Sequence, residues 1–349
     1  MNSITLPVFA PVSEVARGGA EALADQALGP RDIRFVRTLR ISVTDHCNFR
    51  CIYCMPEEGV DFLDKQELLT YEEIVTIARA AIALGISEFK ITGGEPLLRR
   101  DLDSLIRMLR ALPGCEEISL TTNGLLLDRF ALPLARAGVD RVTVSVDTLR
   151  PDRFRAMTRT GDLDRVWAGI HAAEAAGMGL AKINTVVLRD HNLDEVADIA
   201  ALTLSSPRSV RFIEFMPLAK SRVLMDDTQF VPYAEIRARI EDRLGPLCPA
   251  DPDVGNGPAR VFRLEGGLGR IGFIHAMSAP FCATCNRLRL TPEGQLRSCL
   301  FDGGEVDVRR IVREGGSQTD LRRAFVDCVV LKPDQHKNYG NRQMSSIGG

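Results

Sequence analysis

Six of the nine cysteines form two compact groups, spaced C-x3-C-x2-C and C-x2-C-x13-C along the chain. The groups are Cys47, Cys51 and Cys54, and Cys282, Cys285 and Cys299. An odd cysteine count in a chain of 349 residues argues against a disulfide framework and favours metal binding or catalysis. Three thiolates can hold one metal centre and leave one coordination position open, as a catalytic centre requires. We expect the other cysteines to be small buried apolar residues.

The first cysteine group directly follows a predicted strand, at the edge where β/α barrels build their active sites. Its short spacing, with Tyr53 between the last two cysteines, favours an iron–sulfur cluster over zinc. From these residues alone, zinc and a coincidence of spacing remain open. For the second group, the alternative to a cluster is a zinc site completed by a fourth ligand, for which His275 is a candidate.

Two further patterns could bind a ligand. Gly93 and Gly94 would let the backbone approach a ligand closely and Glu95 adds an acceptor, although an ordinary turn is the alternative. Arg287 and Arg289 flank a single residue, so in a strand both side chains point to the same face. Two guanidinium groups beside a metal site suit a polyphosphate, and a solvated basic strand face is the alternative.

Alternating strands and helices must position these residues. Hydrophobic periodicity predicts six strands, at 36–45, 87–94, 116–124, 139–149, 180–188 and 210–218. Helices are predicted between them at 72–85, 101–114, 125–138, 163–177 and 193–204. Thr70 and Glu73 form a capping box ahead of the first helix. The pattern predicts an α/β fold, a partial TIM-like β/α barrel of about six βα units.

The pattern changes after about residue 219. The sequence predicts a helix at 233–245, antiparallel strands at 259–266 and 269–276, a hairpin at 288–300, and helices at 305–314 and 318–332. We therefore predict a small C-terminal α+β extension that carries the second cysteine group. The predicted divisions are a loose N-terminal tail at 1–34, the partial barrel at 35–219, and the extension at 220–349.

Composition excludes several classes of protein. Hydrophobic residues make up 45% of the chain and charged residues 26%, which is typical of a globular protein and not of a disordered chain or a coiled coil. The net charge of −2 gives no indication of nucleic-acid binding. No apolar run is long enough to span a membrane, and no secretory signal is recognisable. We therefore expect a cytoplasmic protein.

The motifs together resemble those of a known family. SVTDHCNFRCIYCMP and ITGGEP resemble the cysteine signature and the GGEP motif of the radical SAM (S-adenosylmethionine) superfamily. FCATCNRLRLTPEGQLRSC at 281–299, the TTNG of the third strand and the closing Ser-Ile-Gly-Gly are similar to segments of the GTP 3′,8-cyclase (MoaA) family of molybdenum cofactor synthesis. The resemblance runs from about residue 35 to the last residue, with the motifs in the family's order.

The resemblance implies two 4Fe–4S clusters, one on each cysteine group, each with one open iron. S-adenosylmethionine would bind the first open iron, and the guanine of GTP would meet the second. The implied contacts of S-adenosylmethionine are Tyr53, Gly93, Gly94, Glu95, Ser145 and Met216. The implied contacts of GTP are Arg40, Lys90, Thr121, Lys182, Arg287, Leu288 and Arg289.

The resemblance also implies a lyase-type radical reaction. The 5′-deoxyadenosyl radical would abstract hydrogen from C3′ of GTP, and the C3′ radical would attack guanine C8 to give 3′,8-cyclo-7,8-dihydro-GTP. Arg40 and the terminal residues Gly348 and Gly349 would assist catalysis, whereas a frayed tail is the alternative for the two glycines. Lys90 departs from the family pattern, in which arginine is common, and loses the bidentate fork of arginine.

The implied partners are a flavodoxin- or ferredoxin-type reductant and a downstream cyclic pyranopterin monophosphate synthase that receives the product, and a homodimer is implied by analogy. Two alternative functions come from other classes. A radical SAM maturase that modifies a peptide would need an open peptide groove. A zinc-binding interaction module without enzymatic activity would hold zinc on its cysteines, and the GGEP motif and the Arg287/Arg289 pair argue against it.

Overall fold

The computed structural model describes residues 29–218, 227–251, 257–301, 304–336 and 340–348. The strands are β1 (Thr38–Ser42), β2 (Glu88–Thr92), β3 (Glu117–Thr122), β4 (Arg141–Ser145), β5 (Lys182–Val187), β6 (Ser209–Glu214), β7 (Leu247–Pro249), β8 (Arg260–Leu264), β9 (Arg270–Ile274), β10 (Arg287–Leu290), β11 (Gln295–Arg297) and β12 (Glu305–Asp307). The helices are α1 (Tyr71–Ile82), α2 (Leu102–Arg110), α3 (Leu127–Ala137), α4 (Pro151–Thr158), α5 (Leu163–Ala175), α6 (Val196–Ser205), α7 (Tyr233–Leu244), α8 (Val308–Arg313), α9 (Gln318–Val330) and α10 (Met344–Ile347). Among these helices none has the length and apolar character of a membrane span.

The strands form one sheet in the order β12-β11-β10-β1-β2-β3-β4-β5-β6-β9-β8-β7. Strands β1 to β6 are parallel, which confirms the predicted α/β class. The C-terminal strands extend this sheet on both sides, because β10 pairs in parallel with β1 and β9 pairs in parallel with β6. In the described part of the chain, β12 and β7 are the two edge strands of this sheet, so the sheet does not close into a barrel.

Alternation along each strand separates the core from the functional face. In β1, Leu39 and Ile41 are fully buried in the core, whereas Arg40 faces a central cavity. In β5, Ile183 and Val187 point into the core, whereas Lys182, Asn184 and Val186 face the cavity. Side chains from β1 to β6, β9 and β10 line this one cavity, so the sheet curves around it.

Several local predictions agree with the structure. The Thr70–Glu73 capping box begins α1, with the Glu73 N–H donating to Thr70 Oγ1 at 3.2 Å and the Thr70 N–H donating to Glu73 Oε2 at 2.8 Å. Strands β8 and β9 are antiparallel, and β10 and β11 form the predicted hairpin. Of the predicted loose tail at 1–34, residues 1–28 lie outside the described residues.

Four elements differ from the prediction, and one is the short edge strand β7, which was not predicted. Helix α4 was not predicted, because Phe154 and Met157 are its only large apolar side chains and give a weak periodic signal. The predicted helix at 305–314 begins as strand β12, which pairs with β11, and becomes helical only after Asp307 caps α8. The polar segment after α9 contains the short helix α10, whose Ile347 is buried.

Candidate functional site

The curved sheet encloses a cavity of about 370 Å³. Most residues predicted to form the site line it. They are Arg40, Cys47, Cys51, Tyr53, Cys54, Lys90, Gly93, Gly94, Thr121, Ser145, Lys182, Met216, Cys282, Cys285, Arg287, Arg289 and Cys299. Leu288 is completely buried in the core, while its two arginine neighbours line the cavity. Glu95 lies behind the cavity wall, and Gly349 lies outside the described residues.

The first cysteine group lies on the loop after β1, and its thiols are free. The Phe49 N–H donates to Cys47 Sγ at 3.4 Å, and the Ser345 N–H donates to Cys54 Sγ. Burial raises the pKa of the Cys47 thiol to about 12 and that of Cys54 to about 11. Metal binding would release these protons, because the thiolate is the form that coordinates.

The end of helix α4 holds the cysteine loop in place. The Arg50 N–H donates to the Thr158 carbonyl at 3.0 Å, and the Ile52 N–H donates to the Met157 carbonyl at 2.9 Å. The Arg159 guanidinium donates to the carbonyls of Arg50 at 2.9 Å and Met55 at 3.0 Å. These contacts fix the backbone around Cys51 from both sides.

The two glycines after β2 pack against the chain's own cysteine loop. The Gly94 N–H donates to the Thr44 carbonyl at 2.7 Å, and the Glu95 N–H donates to the His46 carbonyl at 2.7 Å. A Cβ on Gly94 would lie 2.3 Å from the His46 carbonyl oxygen, and one on Gly93 would lie 2.8 Å from that of Thr44. Glycine is therefore required for this backbone contact, in addition to any ligand that approaches from the cavity.

The Glu95 carboxylate joins the ends of β2 and β3. It accepts hydrogen bonds from Thr122 Oγ1 and the Asn123 N–H, both at 2.7 Å, and from the Leu97 N–H at 3.0 Å. Burial raises its pKa to about 7. Asn123 then reaches the cysteine loop, with its Nδ2 donating to Asn48 Oδ1 at 2.8 Å and lying 4.0 Å from Cys47 Sγ.

Tyr53 is anchored by a carboxylate at the end of β4. Its hydroxyl donates to Asp147 Oδ2 at 2.7 Å, and the Val186 N–H donates to Asp147 Oδ1 at 2.8 Å. Burial raises the pKa of Asp147 to about 6 and raises that of Tyr53. The aromatic ring before the third cysteine is therefore held by strands β4 and β5.

A wall of buried and half-buried cations lines the cavity. They are Arg40, Lys90, Lys182, Arg211, Arg287 and Arg289. Burial, together with Arg289 and Arg287, lowers the pKa of Arg40, and burial and the neighbouring cations lower that of Lys90. Burial and Arg287 lower the pKa of Arg289 to about 9. Packing so many like charges costs free energy that a polyphosphate would offset.

Two uncharged polar atoms also face the cavity. Thr121 Oγ1 and Asn184 Oδ1 are buried and have no hydrogen-bond partner among the described residues. A buried polar atom without a partner is costly, so a ligand that bonds to these atoms would recover free energy. Thr121 was predicted from the family resemblance, whereas Asn184 was not.

The second cysteine group lies across the cavity. Cys282 begins a short 3-10 turn, Cys282–Thr284, and Cys285 and Cys299 flank the β10–β11 hairpin. Burial raises the pKa of Cys285, but the charges of Arg287 and Lys332 outweigh burial and lower it. His275 does not line the cavity with these cysteines, and its Nδ1 contacts the Ala279 carbonyl at 2.5 Å.

The C-terminal tail reaches the same cavity. Met344 and Ser345 line it, and the Gly348 carbonyl accepts a hydrogen bond from Arg289 Nη1 at 2.6 Å. Gly348 has φ of 78°, and a Cβ there would lie 2.5 Å from Thr92 Cγ2, so glycine is required at this position.

The two cysteine groups fit iron–sulfur clusters in donor chemistry. Each offers three thiols that open onto the cavity, and three thiolates would leave one iron of a four-iron cluster without a protein ligand. Within the residues that the structure describes, no three His, Cys, Asp or Glu side chains surround a point that would hold a single metal ion.

Several residues of the site were missed from sequence. They are Asn123, Asp147, Asn184, Arg211 and Lys332. Asp147 carried a usable signal, because it is a carboxylate near the C-terminal end of the predicted strand at 139–149 and so lies at the carboxyl edge of the sheet. Lys332 carried none, because its approach to the second cysteine group depends on tertiary packing alone.

Comparison with protein families agrees with this geometry. Residues 41–203 match the radical SAM superfamily, and residues 208–338 match the family described as Molybdenum Cofactor Synthesis C. The chain is 48% identical over 320 residues to the GTP 3′,8-cyclase of Pelotomaculum thermopropionicum, covering 90% of this chain and 98% of that protein. It is 46% identical over 303 residues to that of Geobacter sulfurreducens, covering 87% and 92%.

Solved structures show a similar fold. Streptococcus suis SuiB bound to S-adenosylmethionine has a TM-score of 0.55 at 14% identity, covering 79% of this chain and 64% of that one. The matches to GTP 3′,8-cyclases do not favour the two alternative functions, a peptide-modifying maturase and a zinc-binding module. By its motifs, its cavity and these relatives, the chain belongs to the GTP 3′,8-cyclase family of radical SAM enzymes.

Proposed function

We propose that this chain converts GTP to 3′,8-cyclo-7,8-dihydro-GTP as a radical SAM GTP 3′,8-cyclase, in the first step of molybdenum cofactor synthesis. The observation that carries this function is one cavity lined by two three-cysteine groups and by a wall of buried and half-buried cations. Its relatives of 42–48% identity have the same function in their names. The enzyme uses S-adenosylmethionine and two 4Fe–4S clusters.

We propose that Cys47, Cys51 and Cys54 hold the first cluster and that Cys282, Cys285 and Cys299 hold the second. The first cluster and S-adenosylmethionine supply a 5′-deoxyadenosyl radical when they are bound. The contacts proposed for S-adenosylmethionine are Tyr53, Gly93, Gly94, Glu95, Ser145 and Met216. Glu95 acts there through the backbone it holds, since its carboxylate bonds to β3 and to its own turn.

We propose that the cation wall binds the triphosphate of GTP. Arg287 and Arg289 project from β10 and Arg40 from the adjacent β1, so three guanidinium groups converge from neighbouring strands. Lys90, Thr121, Lys182 and the backbone of Leu288 complete the proposed contacts. Lys90 Nζ lies 3.5 Å from Thr143 Oγ1, and this contact holds the positive charge in the cavity. Unlike arginine, Lys90 cannot form two parallel hydrogen bonds to a phosphate.

The residues around the cavity orient GTP for the formation of one bond, between C3′ and C8. Hydrogen leaves C3′ of the ribose, C3′ bonds to guanine C8, and one electron and one proton complete the product. Held triphosphate fixes the ribose, and the curved sheet excludes water from the radical. We propose that Arg40, Gly348 and Gly349 assist at this centre.

We propose the following organisation for the chain in the cell. Residues 35–219 are the radical SAM core, residues 220–349 the extension with the second cluster and the Gly-Gly tail, and residues 1–34 a tail. The electron donor is a flavodoxin- or ferredoxin-type protein, and the product passes to a cyclic pyranopterin monophosphate synthase. The protein acts in the cytoplasm without nucleic acid or membrane, and it forms a homodimer.

An anaerobic turnover tests the function. The protein would be reconstituted with iron and sulfide and given dithionite, S-adenosylmethionine, and GTP, ATP or no nucleotide, and 5′-deoxyadenosine would be quantified. We expect formation that depends on GTP and is abolished in Cys51→Ala. Equal slow formation with every nucleotide would contradict GTP as substrate and favour the maturase, and zinc in place of iron would contradict the radical mechanism.

A further inference from the structure

Ion pairs surround the beginning of the C-terminal tail. Arg342 contacts Glu293 through Nη1 and donates to Glu305 Oε2 through Nη2 at 2.7 Å. Glu293 lies in the turn of the β10–β11 hairpin, and Glu305 begins β12. Glu305 also pairs with Arg297, which is fully buried, and Arg297 donates to Asn341 Oδ1 at 2.8 Å. We call these five residues the tail clamp.

The backbone beside the clamp is bound on two sides. The Asn341 N–H donates to the Phe301 carbonyl at 3.1 Å, and the Gly340 N–H donates to the Pro217 carbonyl at 3.3 Å. The tail is thus tied to the segment after β6 and to the segment after Cys299. These backbone bonds fix where the tail begins at the cavity rim. The direction in which the tail continues depends on the side-chain contacts of the clamp.

The tail makes two contacts with the site immediately after the clamp. The Ser345 N–H donates to Cys54 Sγ, and the Gly348 carbonyl accepts from Arg289 Nη1 at 2.6 Å. Ser345 follows Arg342 by three residues, and the cap residue Gln343 that begins α10 lies between them, so a rotation or slip at Arg342 displaces both contacts. A buried Ile347 adds apolar packing, which is less directional than the ion pairs.

The charged side chains of the clamp are largely removed from solvent. The side chains of Glu293, Glu305 and Arg342 are 13%, 24% and 29% exposed, and that of Arg297 is 1% exposed. Removing one partner of such a network leaves the others buried without compensation, whereas the intact network adds little net stability. Its effect is therefore on which arrangement forms rather than on total stability.

We propose that Arg342 is a positioning residue that holds the C-terminal tail in the register in which the Gly348 carbonyl meets Arg289 at the cavity. The inference rests on the proposed function for its catalytic consequence, but not for its structural one. Arg342 bridges the hairpin that carries Arg287 and Arg289 to the tail, so the substrate-binding strand and the tail are held as one unit.

Hydrogen exchange of the anaerobically reconstituted holoenzyme tests the structural part. We would compare wild type, Arg342→Gln and a matched control, Arg243→Gln, which removes an exposed ion pair with Asp198 on the surface. We expect amides at 340–348 to exchange several-fold faster in Arg342→Gln and at the wild-type rate in Arg243→Gln. Unchanged exchange of these amides in Arg342→Gln would overturn the proposal.

Kinetics test the catalytic part. We expect GTP-dependent formation of 5′-deoxyadenosine to fall roughly 10- to 100-fold in kcat in Arg342→Gln, with KM for GTP changed far less, because only the tail is displaced. Faster tail exchange with an unchanged kcat would also overturn the proposal. If wild type lacked the GTP dependence, the proposed function would fail, and the exchange result would still decide the role of Arg342.

A second variant guards against misfolding. Iron content and thermal stability of Arg342→Gln would be measured first. If either were lost, Glu293→Gln removes one arm of the same clamp while leaving Glu305 paired with both arginines. The expected result is a smaller change in the same direction, and wild-type exchange and kcat in Glu293→Gln would then overturn the proposal.

Discussion

Lys332 brings a positive charge to the second cysteine group. Its Nζ donates to the Cys285 carbonyl at 2.6 Å and lies 4.0 Å from Cys285 Sγ, and the residue is 3% exposed. A buried cation beside a cluster ligand favours the reduced, more negative cluster, because local charge is one of the factors that set cluster potentials. The lysine is therefore expected to raise the reduction potential of that cluster.

We predict that Lys332→Met shifts the C-terminal cluster to a lower reduction potential and leaves the first cluster unchanged. A redox titration followed by electron paramagnetic resonance measures both clusters. Substituting the three cysteines of one group assigns the signals. The exposed Lys65 provides the control variant, Lys65→Met. An unshifted potential in Lys332→Met would show that the lysine only holds the loop.

The Glu95 carboxyl group makes the free energy of unfolding depend on pH. Its pKa is about 7 in the folded protein against an ordinary 4.5, and burial is the cause. Between these values the folded chain retains a proton that the unfolded chain has lost. The contribution of Glu95 to the free energy of unfolding is therefore fully present below pH 4.5 and declines as pH rises to 7.

We predict that this decline disappears in Glu95→Gln. The free energy of unfolding of wild type minus that of Glu95→Gln should fall by about 2 kcal/mol between pH 5 and 7.5. Urea denaturation of the metal-free chain at the two pH values measures it. A difference that is constant with pH would show that Glu95 ionises normally.

At the scale of elements, helix α4 shows what local sequence patterns miss. The βα frame could be predicted because its strands and helices repeat strong apolar periods, and Arg287 and Arg289 face the cavity as alternation requires. Helix α4 has two large apolar side chains, whose periodic signal is too weak to predict a helix, yet its end bonds to the cysteine loop. The tail clamp was also missed, because ion pairs between residues distant in sequence leave no local pattern.

We predict that the brace from Arg159 is required to retain the first cluster. Arg159 has φ of 62°, so Arg159→Gly keeps the backbone conformation and removes only the bonds to Arg50 and Met55. We expect several-fold faster loss of iron to a chelator from the first cluster alone. Arg155→Ala removes an exposed arginine from the same helix without weakening the helix and serves as the control, and equal iron loss in both variants would contradict the brace.

At the scale of the whole molecule, the extension completes the sheet that the core begins. Strand β10 covers the edge of β1, and β9 covers the edge of β6. The division at residue 219 therefore separates the two cysteine motifs, but the strands on its two sides belong to one continuous sheet. Without the extension, both edges of the parallel core would expose unpaired backbone groups, which promote aggregation.

We predict that neither proposed part folds alone. Residues 35–219 and 220–349, expressed separately, should lack a cooperative unfolding transition, and mixing or coexpression should restore it in part. Far-UV circular dichroism during denaturation measures this. Cooperative unfolding of 35–219 alone, with four irons retained on the first cysteine group, would show that the core is an independent unit.

The pairing of β1 with β10 also sets the order of events during synthesis. The strand that leads into the first cysteine loop leaves the ribosome tens of seconds before its partner, at ordinary rates of translation. Throughout that interval the edge of β1 beside the first cysteine loop lacks the strand that will cover it. The nascent chain therefore needs protection from association with other chains until β10 is made.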